Sequence, residues 1–205
     1  MNSKEKSLYK RKAKESFNTK LSLFIFYSVL NNIEKFMLND FVKFEISKDL
    51  VIKYTTEYWQ KFAEEIVDGS SLTIKEIWSK SDNIRSTHSV LFKEFETDYI
   101  TNRFPKKFSE MEFERLVCKK ENHCHYCKIT TEDIEKLSEN RKIFKKNFRG
   151  WSLEIDRKDS NMEYTRDNCV MACYWCNNAK TDEFTYKEFK NVGKSIQKIW
   201  ENRKK

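Results

Sequence analysis

Leu21–Leu30 (LSLFIFYSVL) is the longest apolar stretch of the chain. It is about half the roughly 18–20 residues that a membrane-spanning helix needs. Asn31, Asn32 and Glu34 follow it directly, without a small-residue cleavage site, so the pattern predicts a buried helix rather than a signal peptide. A helical beat continues to about Met111. Ile33, Phe36, Met37 and Phe41 keep it, and Tyr58, Trp59, Phe62 and Ile66 repeat it. Asp68-Gly69-Ser70-Ser71 is the clearest break, and Ser71 or Thr73 stands where a cap is needed for a helix containing Ile74, Ile77 and Trp78. Asn102 to Pro105 reads as a second break. Further on the period changes from helix to strand. Leu153 and Ile155 alternate with Glu154 and Asp156, which predicts a strand that buries the apolar pair and presents the carboxylates on its other face. Asn168–Met171 reads as a short second strand. A helix follows from Cys173, with Cys173, Cys176, Asn177 and Lys180 on one face. Tyr186–Lys205 is helical again, with Phe189, Val192, Ile196, Ile199 and Trp200 as its apolar stripe.

Composition sharpens this picture. Charged residues are 35% of the 205, yet aromatics reach 15%, and a disordered polyelectrolyte would lack the rings whose burial offsets folding entropy. Three Gly and one Pro disfavour an all-β sandwich or barrel. The expected class is therefore α+β and mostly helical, with a boundary near residue 110. Residues 1–110 would form a helical domain of unassigned role: DNA recognition, a dimer interface or a partner surface. His88 is a lone histidine there and reads as structural. The first 20 residues hold seven cations and two acids, an arm or first helix turn near phosphate or else a solubilising tail.

All six cysteines fall between positions 118 and 176. In the reducing cytoplasmic compartment expected for this chain, metal ligation precedes disulfides as their reading. Cys124-His-Tyr-Cys127 and Cys173-Tyr-Trp-Cys176 are two C-x-x-C pairs, and such turns bring two sulfurs each to one tetrahedral zinc. Cys118 and Cys169 lie outside that spacing and are expected to be buried thiols. Strand, loop, strand and helix, pinned by zinc to the earlier knuckle, make a ββα-metal unit over 111–205.

C-x-x-C, then L-E-x-D, then a loop with Tyr164 and Asn168 ahead of C-x-x-C-N-x-x-K resembles the zinc-bearing HNH endonucleases over roughly residues 115–190. The resemblance implies that Asp156 binds a catalytic Mg²⁺ or Mn²⁺ ion, with Asn177 as second ligand. It implies that Asn168 ties the loop between the strands and that Lys180 contacts phosphate. The family's general-base His normally follows the Asp, and here that position is Arg157. A guanidinium with a pKa above about 12 is a poor base, but its planar fork suits a phosphate. The activator of the water stays open between a metal-bound hydroxide, Tyr164 and the knuckle histidines His123 and His125.

The net charge of +8 fits a nucleic-acid partner. Arg141–Arg149 carries five cations and no acid, so Arg141, Lys145 and Arg149 are expected along a DNA backbone, while Phe144 and Phe148 are expected as core anchors. The resulting expectation is a divalent-metal-dependent DNA endonuclease, of restriction or phage-defence type. A zinc-stabilised DNA-binding protein without catalysis is the alternative. A cutter of palindromes would have to act as a homodimer, because one such centre cuts one strand at a time.

Overall fold

The computed structural model describes residues 1–60, 64–118, 123–144 and 149–205. The chain divides into two compact units, one of residues 2–107 with 161–164, the other of Met1, 108–160 and 165–205.

The first unit is helical throughout. Helix α1, Ser3–Leu30, starts on a capping box in which Asn2 and Glu5 satisfy each other's backbone N–H groups. α2 (Leu38–Lys43) and α3 (Lys48–Lys53) follow, and a π-helical turn, Tyr54–Tyr58, extends α3. α4 (Ile74–Thr87) is capped by Thr73, whose Oγ1 accepts from Glu76 N at 3.3 Å. α5 (Ser89–Asp98) continues through a second π turn, Tyr99–Arg103, into α6, Phe104–Lys107.

Four expectations change here. The basic N-terminus is no tail, because Tyr9, Ala13, Ser16 and Phe17 are buried on one face of α1. Ile33, Phe36 and Met37 lie in the connection after α1 rather than on a helix; their spacing matched the period, but Asn32 just ahead of them is left-handed, at φ 51°. Ile66 is exposed and bridges Thr73, and Phe62 lies outside the described residues. Pro105 breaks nothing. The π turn before it bonds Phe104 N to Tyr99 O, and that widened register absorbs the missing N–H and the ring.

Rings fill this unit. Phe41 meets Phe17 at 5.6 Å, Phe24 at 5.4 Å and Phe95 at 5.4 Å, each a contact worth about 0.5–1.5 kcal/mol beyond the area it buries. Asn161–Tyr164, expected in the second domain, belong with this unit. Glu163 accepts from Tyr99 Oη and Lys107 Nζ, and Tyr164 Oη donates to Glu15 Oε2 at 2.7 Å.

The second unit opens with α7 (Glu110–Val117) and continues, after the first cysteine pair, with α8 (Thr131–Glu139). Strands β1 (Glu154–Arg157) and β2 (Cys169–Ala172) pair antiparallel, with Glu154 opposite Ala172 and Asp156 opposite Val170. α9 (Tyr174–Lys180) and α10 (Tyr186–Lys204) complete it. Its core places Ile129, Ile134, Leu137, Leu153, Val170 and Phe189 around the four paired cysteines. Phe189 and Trp200 of the α10 stripe are buried, whereas Ile199 is exposed. Gly193 lets α10 approach the knuckle: a Cβ there would stand 2.8 Å from Tyr126 Cβ and 3.1 Å from its carbonyl. No described helix is long and apolar enough to cross a membrane.

Candidate metal centre and active site

Cys124 and Cys127 sit on a tight turn closed by Lys128 N donating to Cys124 O at 3.0 Å, with Lys128 at φ 63°. His125 N donates to Met171 O at 2.8 Å, which ties this turn to β2. Cys173 is the N-cap of α9, its Sγ accepting from Cys176 N at 3.5 Å. The four ligand sulfurs lie within 4.8 Å of one another and all are buried. Cys127 Sγ and Cys173 Sγ are 3.6 Å apart, and a tetrahedron with Zn–S bonds of about 2.3 Å has edges of about 3.8 Å. Thiols this close disturb one another strongly. Donation from Cys127, Cys173 and Cys176 drives Cys124 far below the thiol range, while bonding to Cys124 and burial push Cys173 and Cys176 far above it. A dication bound by all four removes that conflict, so the residues fit a metal ion. Cys169 is buried as expected, but Cys118 is exposed, because it ends α7.

Next to the sulfurs stands the carboxylate row of β1. Contrary to the strand pattern, Asp156 is not on an open face: it is 6% exposed, because α9 and the knuckle cover that side. Tyr126 Oη donates to its Oδ2 at 2.6 Å, and Lys180 Nζ stands 3.6 Å from the same oxygen. Among the described residues, its Oδ1 accepts no hydrogen bond. Burial raises the Asp156 pKa above the ordinary carboxylate value, against the pull of Tyr126 and Lys180. Burial also raises that of Tyr126, so the phenol stays a donor.

Lys180 differs from its expected role. It is fully buried, and its Nζ donates to Arg157 O at 2.7 Å and Ser160 Oγ at 3.0 Å. With those bonds made it does not reach a phosphate in solvent; it braces the end of β1. One turn earlier on α9, Asn177 Nδ2 donates to Glu154 Oε2 at 2.7 Å. Arg149 reaches the other oxygen of Glu154 at 2.9 Å. Asn177 and Asp156 thus lie on successive rungs between α9 and β1, and no direct bond joins them.

Asn168 exchanges two bonds with Asp159, its Oδ1 accepting from the backbone N at 2.9 Å and its Nδ2 donating to the carbonyl at 3.0 Å. Arg157 lies half-buried at the end of β1. Arg141 is exposed and ends α8 in the left-handed region, at φ 53°. Lys145 and Phe148 lie outside the described residues. Tyr164 is no candidate base: it is buried in the helical unit, bonded to Glu15 and Lys12.

Sequence reasoning missed Tyr126, Glu154 and Tyr186. The residue inside a C-x-x-C turn has no pattern of its own, and only the fold brings Tyr126 to Asp156. His125 Nε2 lies 2.8 Å from Tyr186 Oη on α10. Burial, then Lys128, Lys158 and Lys190, lower the His125 pKa.

The fold and site define a class: a two-strand, one-helix unit whose helix start is pinned to an earlier knuckle by four cysteines. No protein-family model matches the chain, and no curated protein does. A similar solved structure is that of PacI, a rare-cutting HNH restriction endonuclease for which an extraordinary mechanism of DNA perturbation is described. It shares 30% identity over 47% of this chain and 67% of that one, with a TM-score of 0.40.

Proposed function

We propose that the chain is an HNH-type endonuclease that hydrolyses DNA phosphodiester bonds with a divalent metal, and that its four-cysteine cluster holds a structural Zn²⁺. The observation that carries this reading is the Asp156 carboxylate, buried at the end of a strand beside the cysteine-pinned helix. Its Oδ2 is fixed by Tyr126 and Lys180, and its Oδ1 takes no partner among the described residues. Burying a carboxylate is costly, and one that keeps an oxygen without a described partner has that oxygen to offer a metal ion. A Mg²⁺ or Mn²⁺ ion held through Asp156 and Asn177 would stabilise charge on the transferring phosphoryl group and its leaving oxygen.

The chain's own residues supply the rest. Tyr126 holds the rotamer of Asp156, and the Lys180 ammonium opposes the upward push of burial on its pKa. Asn168 locks the turn that follows β1 and so fixes the direction in which Arg157 leaves the strand. Arg157 clamps the phosphate as a planar cation. With Tyr164 engaged elsewhere, His125 is the side-chain base this reading favours. It adjoins Tyr126, its ring is oriented by Tyr186, and its lowered pKa leaves it neutral and able to accept a proton at pH 7.

One observation favours the second reading, a zinc-stabilised DNA-binding protein without catalysis: Asp156 already has an ion-pair partner in Lys180. Supercoiled plasmid separates the two. After removal of loosely held divalent ions, added Mg²⁺ or Mn²⁺ is expected to give nicked or linear DNA. A salt-sensitive mobility shift with no strand break under either metal would establish the second reading instead.

A further inference from the structure

The stretch Arg141–Arg149 enters the proposed function only through its charge, but the structure gives its first aromatic residue a different standing. Phe144, expected in the core, is 80% exposed. The Arg203 guanidinium, from the last turn of α10, lies 5.4 Å from the centre of its ring and 5.2 Å from that of Trp200. Arg203 also donates to Lys142 O at 3.2 Å, which fixes the backbone two residues before Phe144. The contacts run on. Trp200 meets Trp175 at 4.8 Å, Trp175 adjoins Tyr174 at 5.9 Å, and the Arg149 guanidinium lies 5.6 Å over Tyr174. Arg149 in turn holds Glu154 on β1. A chain of guanidinium–ring and ring–ring contacts therefore leads from an exposed phenylalanine to the strand that carries Asp156.

A single exposed apolar residue is ordinary. This one stands within nine residues that hold five cations and no acid, with a guanidinium over its ring and most of the ring still exposed. Cations that track a phosphate backbone, combined with an exposed ring, are the two parts of a surface that binds nucleic acid with an unpaired base. We infer that Phe144 is a stacking platform for an unpaired DNA base, with Arg203 bracing the ring from behind and Arg141 and Arg149 holding the adjoining phosphates. This rests on the DNA-binding part of the proposed function and adds the form of DNA preferred: a strand with a base out of the helical stack.

The test compares two fluorescent duplexes of the same sequence context, one fully paired and one with a three-base central mismatch, in binding titrations without added Mg²⁺. Wild type is expected to prefer the mismatched duplex. Phe144→Ala is expected to weaken that complex about tenfold, the size of one base–aromatic stack, and to change the paired one less than about twofold. Phe144→Trp should restore the preference, and Phe144→Leu, apolar but without a ring, should not. Equal binding of the mismatched duplex by wild type and Phe144→Ala would overturn the platform, as would an equal loss on both duplexes. Plasmid cleavage by a protein without Phe144 dependence would sink this inference and leave the nuclease standing. Phe144-dependent binding by a protein that cuts nothing would do the reverse.

Discussion

The two units of this chain are held together by different physics. In the helical unit, stability is spread over many rings: Phe41 alone meets four others, and α1 is buried on nearly every side between Leu21 and Val29. In the cysteine unit, a two-strand sheet and helices of seven to 19 residues gather around four sulfurs within 4.8 Å of one another. A two-strand sheet is marginal by itself, so a metal ion held by the four sulfurs would supply what apolar area cannot. The contrast extends to titratable groups. The buried Glu163 of the first unit is fully engaged by Tyr99 and Lys107 and serves packing. Asp156 of the second, among the described residues, is met on one oxygen only, by Tyr126 and Lys180.

The largest effect that breaks this contrast is loss of the cluster. Cys173→Ser, or prolonged chelation, is expected to unfold the cysteine unit while the helical unit keeps its protection in hydrogen exchange. Metal binding at such a cluster is itself folding free energy, about 10–16 kcal/mol in small zinc peptides. Uniform loss of protection across both units would show that they are not held separately. Phe41→Ala should do the opposite, costing the helical unit about 3–5 kcal/mol in denaturant unfolding and leaving zinc content at wild-type level. Gly193→Ala is a smaller blow, about 1–3 kcal/mol, because the new methyl must displace Tyr126. It should also slow cleavage, since Tyr126 holds Asp156; a loss of stability without a loss of rate would detach Tyr126 from the site.

The smallest effect concerns Lys20, buried with its Nζ 3.4 Å from Val42 O and over the Phe41 ring. Burial, then the charge of Lys107, lowers its pKa from 10.5 to about 8. Between those values the unfolded chain binds more protons, so wild-type stability should rise with pH from about 8 and be lowest below it. Lys20→Met should stabilise the helical unit at pH 7 and abolish that rise. A Lys20→Met protein with the wild-type pH slope would assign the slope to another group.

Much of the second unit was legible because its chemistry fixes spacing. The C-x-x-C pairs, the β1 alternation and the helix after Cys173 all follow from ligand geometry and period. The burial of Asp156 and Lys180 was not legible, since alternation says which residues share a face but not what covers it. Phe144 illustrates the same limit, for an aromatic in a charged stretch has no periodic partner to say whether it points in or out. In the helical unit, capping residues made Ile74–Thr87 readable, while Ile33–Met37 kept the helical period although the left-handed Asn32 leads the chain out of α1. Pro105 looked like a stop because the π turn that accommodates it leaves no mark in the sequence.

The claim on which the rest depends is that Asp156 is the working carboxylate. Cleavage rates of wild type and Asp156→Ala on supercoiled plasmid with Mg²⁺, on samples matched in zinc content and melting temperature, test it directly. The account expects the variant to fall by roughly a thousandfold or more, the scale of several kcal/mol of lost charge stabilisation. A correctly folded Asp156→Ala protein that cuts within about tenfold of wild type would contradict it.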